Sequence, residues 1–370
     1  MRKVTGWFAA IGVGTTLVLG LASVKAEEWS PPALVASDVQ QKGENALSVM
    51  TYNVEGLPFP VRFGRSSAAC QIADRLHQMR DAGLQPHVVV LQEAFGDAQR
   101  KIGEEAGYRY VAFGPDRDLR NDEAMSADDK AFAEQARFLK GERSGKMTGS
   151  GLAILSDYPI VSVAKAAFPS YACAGFDCLA NKGVMMVTVQ VPGVDQPVAV
   201  IATHMNSKDL SHVPEARHRY AFMRQVETLS KFLTANLPPS TPYIFAGDTN
   251  VGRSQPRMAA LELMLAGLPR TADAGQVRIA LKTCLEGTDS GCMISTPKEV
   301  RISAKRNKDL QVFAPGATTS VALLGVDAPF GHDAKGRMLS DHIGYTAFYR
   351  FKGEALAGQQ PSSGQVVALR

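Results

Sequence analysis

Several apolar, strand-like runs of this sequence end in side chains that a core would waste. "LSVMTYNVEG" ends in Asn53 and Glu55, "HVVVLQEAF" in Gln92 and Glu93, "VAVIATHMNS" in His204 and Asn206, and "YIFAGDTNVG" in Asp248 and Asn250. Near the C-terminus "SDHIG" sets Asp341 beside His342, ahead of the run "YTAFYRF". Carboxylate and amide oxygens are hard donors of the kind that hold Mg2+, and imidazoles titrate near neutral pH and can pass a proton. Taken singly, each has a bland explanation. An Asn after a strand is usually a turn residue, a strand-end Glu is usually solvated, and a lone histidine is usually a satisfied, partly buried one. Turns do not call for an amide, a carboxylate, an imidazole, a carboxylate with an amide, then a carboxylate with an imidazole. Strand ends of one sheet can converge on a rim, which is how such folds assemble sites.

The elements that would carry these ends are short and β-rich: besides the runs above, "GLAILS" and "GVMMVTVQV" read as strands. In "SAACQIADRLHQMRDAG" the positions Ala69, Ile72, Ala73, Leu76 and Met79 follow helical spacing and Gly83 supplies the stop. "PEARHRYAFMRQVETLSKFLTANLPP" is a second helix, opened by Pro214 and closed before Pro238; His218 on it is expected at the surface or at a cap. Strands outnumber helices and alternate with them irregularly, which predicts sheets packed together with helices outside. Two stretches read as surface insertions. Residues 115–147 are polar, with a short helix around Phe132 to Leu139; residues 251–308 hold the helix "PRMAALELMLAGL", a cysteine pair and the basic run "KEVRISAKRNK". There is no internal repeat.

The first 26 residues carry Arg2 and Lys3, then an apolar stretch, then Val24 and Ala26 at positions suited to signal-peptide cleavage. Export is expected, secreted or periplasmic, with Glu27 as the mature start. The competing reading is an uncleaved membrane anchor, since the run is nearly long enough to span a bilayer. The chain then divides into signal peptide 1–26, a flexible segment 27–44, one domain 45–352 and a flexible tail 353–370. Removing the leader leaves 37 basic against 36 acidic residues, which argues against a tight, sequence-blind nucleic-acid binder. Cys173 with Cys178, and Cys284 with Cys292, lie close in sequence and are the expected disulfide pairs of an exported chain, other pairings staying open from sequence alone. Cys70 is left over and is expected to be a buried structural thiol. No cysteine has zinc-site spacing with histidine.

Taken in order across residues 48–348, "TYNVEGLP", "LQE", "SGLAILS", "ATHMNS", "GDTN" and "SDH" resemble the endonuclease/exonuclease/phosphatase (DNase I-like) superfamily. The resemblance implies an α/β fold: a four-layered α/β/β/α sandwich of two mixed β-sheets face to face, helices outside, in a single domain. "FDCLANKGVMMVTV" and "NKDLQVF" resemble segments of its neutral sphingomyelinase branch.

The chemistry implied is metal-dependent hydrolysis of a phosphodiester. It needs a cation to neutralise phosphate charge, a base for the attacking water, and help for the leaving oxygen. Glu93 is the expected Mg2+ ligand, for one or two ions, with the amide oxygen of Asn53 beside it as the family's motif implies. His342 is the expected general base. His204 and Asn250 would donate to phosphate oxygens, Asp248 is catalytic by resemblance, and Lys182 would add positive charge at the phosphate, against the alternative of a solvated strand-end lysine. Consecutive residues of an extended strand point to opposite faces, so Asp341 is a poor partner for His342. Asp309 of "NKDLQVF" is expected to orient the imidazole, leaving Asp341 to the metal or to bracing the loop. The leading expectation is a monomeric phospholipid head-group esterase of sphingomyelinase or phospholipase C type, working at a membrane surface. Phe168, Tyr171 and Phe176 could face that membrane, or pack under their loop. A secreted endonuclease acting on nucleic acid is the alternative, an inositol phosphate phosphatase the next, and a non-catalytic binding protein the last.

Overall fold

A computed structural model describes residues 29–32, 34, 43–57, 61–268, 277–288 and 291–353. The leader 1–26, most of the 27–44 segment and the tail after residue 353 lie outside the described residues. The chain opens with β1 (Ala46–Asn53), α1 (Arg65–Asp81), β2 (Val88–Gln92), α2 (Asp97–Glu105), β3 (Tyr110–Phe113) and α3 (Ala127–Glu134). It continues through β4 (Ala153–Ser156), β5 (Ile160–Ala167), β6 (Gly183–Val189), β7 (Val198–His204), α4 (Glu215–Asn236), β8 (Tyr243–Asp248) and α5 (Gln255–Ala266). The last third holds β9 (Arg278–Ile279), α6 (Ala280–Glu286), β10 (Met293–Ile294), α7 (Pro297–Arg306), β11 (Asp309–Ala314), β12 (Thr319–Phe330) and β13 (Gly344–Gly353).

The strands form two mixed sheets, ordered β10-β12-β13-β1-β2-β4-β3 and β5-β6-β7-β8-β11-β9. Alternation along each strand builds the layers, because successive side chains face opposite ways. Leu47 and Val49 of β1, Val88 and Val90 of β2, Val198, Val200 and Ala202 of β7, Ile244 and Ala246 of β8, and Phe313 of β11 share one core between the sheets. The intervening residues face the helices. Met50, Tyr52, Val89 and Leu91 pack with Ile72, Leu76 and Met79 of α1, while Ile201, Phe245 and Val312 pack with Phe222, Leu229 and Leu233 of α4 and Leu261 of α5. Each such fully buried side chain contributes roughly 1.5–3 kcal/mol. The expected four-layered architecture is the observed one.

Register then explains why polar ends meet. β1 runs parallel to β2, with Asn53 opposite Gln92; β7 runs parallel to β8, with His204 opposite Asp248; β11 runs antiparallel to β8, with Asp309 opposite Asp248. Continuing the inward parity beyond the apolar positions reaches Asn53, Gln92, His204, Asp248 and Asp309. The inter-sheet face is therefore apolar along most of its length and polar at one end. Gln311 ties the sheets together just below that end, donating to Val49 O at 3.0 Å and accepting from Tyr349 Oη at 3.1 Å.

Several local expectations are corrected. The helix of the 115–147 stretch is α3, capped by Ser126 Oγ accepting from Asp129 N–H, and a separate 3-10 turn spans Phe138–Lys140. The 251–308 stretch is not surface decoration, since Leu281 and Cys284 of α6 and Val300 of α7 belong to the inter-sheet core. Cys70 is exposed, not buried, because it sits off the α1 stripe that packs on the sheet. His218 is buried and bonded to Arg257. Trp29 is not part of a free segment: it stacks on Phe330 at 6.3 Å. Both expected disulfides, Cys173–Cys178 and Cys284–Cys292, are present.

Candidate active site

At the polar end of the inter-sheet face, Asn53 Nδ2 donates to Glu93 Oε1 at 2.9 Å and to Asp248 Oδ2 at 3.1 Å. The Asn53 side-chain oxygen accepts the Glu55 N–H at 3.0 Å. It is thus the amide nitrogen, not the oxygen expected to ligate a metal, that faces the carboxylates. Strand alternation from Gln92 would send Glu93 to the helix side; a left-handed backbone, φ 59°, turns it inward instead. Asn250 after β8 (φ 51°) and Glu55 after β1 (φ 49°) share this conformation. Non-glycine residues hold it only where surroundings over-determine it, at a cost of roughly 1–3 kcal/mol each. Gly56 is part of that constraint. A Cβ there would lie 2.0 Å from the Glu93 carbonyl oxygen, so only glycine lets the β1–α1 turn cross the Glu93 backbone.

His342 does not belong to the last strand, as expected from sequence, but to a bend ahead of β13. Ser340 holds the bend, its Oγ donating to Asn53 O at 2.6 Å and accepting from His342 N–H at 3.1 Å. The bend points the imidazole at Asp309, whose two oxygens lie 2.8 and 3.0 Å from Nδ1. Nε2 is then 3.7 Å from Asp248 Oδ2. Burial disfavours charge on His342, but Asp309 and then Asp248 outweigh it and raise its pKa to about 10. Burial pushes Asp309 up in turn, and the pair keeps its proton on the imidazole. Asp341 stands apart. Its carboxylate is 59% exposed and 4.0 Å from His342 Nε2, and its N–H donates to Glu55 Oε2 at 3.1 Å. Among the described residues no contact joins it to Glu93 or Asn53.

Across the site His204 Nε2 lies 3.6 Å from Asp248 Oδ2 and 3.1 Å from Lys182 Nζ. Lys182 is buried rather than solvated, and also donates to Asp177 Oδ1 at 2.7 Å and to Met205 O at 3.1 Å. Its three protons are thereby spent, and its charge acts through His204. Burial, reinforced by Lys182, holds His204 well below the usual histidine range, so it is neutral, with Nε2 accepting from the ammonium and Nδ1 carrying the proton. That Nδ1 is buried with no partner. Asn250 donates its N–H to Asp248 Oδ1 at 3.0 Å and its amide to Met205 O at 3.0 Å. Burial opposes ionisation of Asp248, but His342, then Lys182 and the Asn250 N–H, hold its pKa below the usual carboxylate value.

Two supporting residues escaped the sequence reading. Asp177 clamps Lys182 and also accepts from Ser207 N–H; it stood in the quoted segment "FDCLANKGVMMVTV", but nothing there assigned the aspartate a role. Arg257 of α5, fully buried, donates to Asn206 O at 2.7 Å, Asn250 O at 2.8 Å and His218 Nδ1 at 2.9 Å. It props up the two loops that follow β7 and β8. Phe168 and Tyr171 are buried under their loop, and of the three aromatics proposed to face a membrane only Phe176 is exposed.

The residues fit a divalent cation. Glu93 Oε2 is buried without a hydrogen-bond partner, and burial raises the Glu93 pKa to about 7, outweighing the Asn53 hydrogen bond and the charges of Lys182 and His342: an ionised carboxylate here is only partly compensated. Asp248, Asp309 and His342 offer ligand atoms within 4.8 Å of one another, but Asp309 and His342 satisfy each other. The open oxygen donors are therefore on the Glu93–Asp248 side, as hard-cation chemistry requires.

The sequence profile of the Endonuclease/Exonuclease/phosphatase family matches residues 50–342. The chain belongs to this family. Membership makes it an enzyme of metal-dependent phosphoric-ester hydrolysis. Its fold is similar to that of sphingomyelinase C from Streptomyces griseocarneus, at 21% identity and TM-score 0.53 over 82% of this chain and 99% of that one. A beta-toxin variant from Staphylococcus aureus with bound magnesium ions gives 19% identity and TM-score 0.53 over 82% and 99%. TDP2 from D. rerio, complexed with a single-strand DNA product, gives 15% identity and TM-score 0.50 over 83% and 100%. At these identities the likeness is one of fold. A search of curated protein sequences finds no match.

Proposed function

We propose that this protein is an exported, Mg2+-dependent phosphodiesterase that cleaves a phospholipid head-group ester, releasing phosphocholine and ceramide from sphingomyelin, and acts as a monomer. The observation that carries the chemistry is the buried, unpartnered Oε2 of Glu93 in a site with an Asp309-oriented histidine. Glu93, with Asp248 next to it, would hold the cation, which when bound neutralises phosphate charge and lowers the proton affinity of the cluster around it. His342 Nε2, the nitrogen not bonded to Asp309, would take the proton of the attacking water once the ring has shed its extra proton on cation binding at Glu93 and Asp248. Asp309 keeps the ring in one orientation and stabilises the imidazolium that forms. Asn250 and His204 line the phosphate side, with Lys182 supplying positive charge behind His204.

The lipid reading is supported by the resemblance of "LANKGV" and "KDLQVF" to sphingomyelinase segments, and by Lys182 of the first and Asp309 of the second each holding one histidine of the site. Export is supported by the leader composition and by two disulfides, which persist in oxidising compartments. A nuclease is the second reading, favoured by the fold shared with TDP2. Sphingomyelin vesicles and supercoiled plasmid, each with Mg2+ and with EDTA, separate the two. Metal-dependent phosphocholine release without plasmid nicking is expected. Nicking without phosphocholine release would overturn the lipid assignment.

A further inference from the structure

Five large apolar side chains gather on the outer surface beside the site. Leu139 is 87% exposed, Phe138 69%, Met147 68%, Phe176 42% and Leu210 38%. Contacts of their immediate chain neighbours bring the segments that carry them together. Lys140 Nζ lies 5.7 Å above the Phe176 ring, Phe176 meets His212 edge-on at 6.0 Å, and Met147 N–H donates to Leu179 O at 2.7 Å. Gly141, at φ 78°, seats the turn on Leu179, whose side chain lies 3.1 Å from where a Cβ would be.

Residues 137–146 carry Arg137, Lys140 and Arg143 at the surface against one acid, Glu142, while Lys146 is turned inward, its Nζ donating to Ala180 O at 3.2 Å. Glu142 is turned inward, accepting from Arg217 Nε at 2.6 Å and Gly175 N–H at 2.8 Å, so the rim is cationic. Large exposed apolar side chains gathered on neighbouring segments mark an interaction surface. Two adjacent large apolar residues at the tip of a short turn, ringed by cations, match the layered chemistry of a bilayer face, with apolar groups in the acyl boundary and cations at the phosphates. The patch also adjoins the site. Phe176 lies inside the Cys173–Cys178 loop, next to Asp177, which holds Lys182 against His204.

We propose that the turn Phe138–Lys140, with Met147 and Phe176, is the surface on which this protein docks to a phospholipid bilayer. The inference rests on the lipid-substrate reading above and names the face that meets the substrate's membrane. It places docking on a turn that the sequence offered only as polar decoration.

The test is flotation of the full protein, in EDTA, with vesicles of phosphatidylcholine and phosphatidylserine that contain no sphingomyelin, so that binding is read without turnover. Phe138→Ser with Leu139→Ser should lower vesicle partitioning by roughly tenfold or more, with the melting temperature and the hydrolysis of soluble bis(p-nitrophenyl) phosphate unchanged. Tryptophan emission from Leu139→Trp should shift to the blue on adding vesicles. The proposal is overturned if the wild type does not partition, if the double variant partitions like it, if Leu139→Trp emission does not move, or if the double change weakens plasmid binding and leaves vesicle binding intact. Normal partitioning that the double change abolishes, without phosphocholine release from sphingomyelin, would sink the substrate reading and leave the docking surface standing.

Discussion

Replacing Glu93 by glutamine has two opposite effects, and the structure sets the size of the first. Burial raises the Glu93 pKa from 4.5 to about 7, so in the metal-free protein the ionised carboxylate destabilises the fold. The sign follows from proton linkage: below pH 4.5 the group is protonated in both folded and unfolded chains and costs nothing, and the cost grows as pH rises until it is complete above pH 7. Its full size is about 3 kcal/mol, from about 1.4 kcal/mol per pKa unit. Glutamine keeps the acceptor for Asn53 Nδ2 and removes the charge. In EDTA at pH 8, Glu93→Gln should therefore be more stable to urea than the wild type by up to about 3 kcal/mol, with the gap closing toward pH 4.5. Mg2+ should reverse the order, stabilising the wild type according to its occupancy and the variant hardly at all. Urea unfolding followed by circular dichroism at both pH values, with and without Mg2+, reads all four quantities. A variant less stable than wild type in EDTA, or stabilised equally by Mg2+, would refute the reasoning.

Asp309→Asn removes the charge-assisted bond to His342, worth roughly 1.5–3 kcal/mol, so kcat/KM for a soluble diester should fall about 10- to 150-fold. Because Asp309 holds the His342 pKa up, the acid limb of the pH–rate profile should also move to lower pH; an unshifted profile with wild-type turnover would contradict the pairing. Gly56→Ala drives a Cβ to within 2.0 Å of the Glu93 carbonyl oxygen, and should cost roughly 1–3 kcal/mol while weakening Mg2+ binding by calorimetry; wild-type values for both would count against a role for that crossing. His87, remote from the site, accepts the Ser48 N–H on Nδ1 at 3.1 Å, and burial lowers its pKa from 6.5 to about 4. The unfolded chain therefore binds the extra proton between those values, and stability should fall by about 3 kcal/mol as pH drops from 6.5 to 4; His87→Asn, which keeps an acceptor, should flatten that loss in urea titrations, and an identical acid slope would refute it.

The strand ends were legible because period-2 alternation writes both core and site into one face: Val88, Val90 and Gln92, or Ile244, Ala246 and Asp248, read as a single line. The Asp309–His342 pairing was also within reach. The reason offered for it was not the right one, since His342 lies in a bend anchored by Ser340 rather than in a strand. What escaped depends on backbone that leaves alternation. Glu93 reaches the site through a left-handed residue, and Asn53 presents its amide nitrogen because the Glu55 N–H claims the oxygen. Long-range burial of polar groups was equally hidden. Arg257 and Lys182 look like surface cations in sequence, yet each is buried and spends its donors on loops or side chains that only the fold brings near.

The measurement closest to the central claim is hydrolysis of bis(p-nitrophenyl) phosphate by the purified protein as Mg2+ is titrated, beside His342→Ala and Glu93→Gln. Turnover that saturates with Mg2+, disappears in EDTA, is lost in His342→Ala and requires far more metal in Glu93→Gln is the predicted result. Turnover that survives EDTA, or that either variant retains at the wild-type metal requirement, would contradict the account.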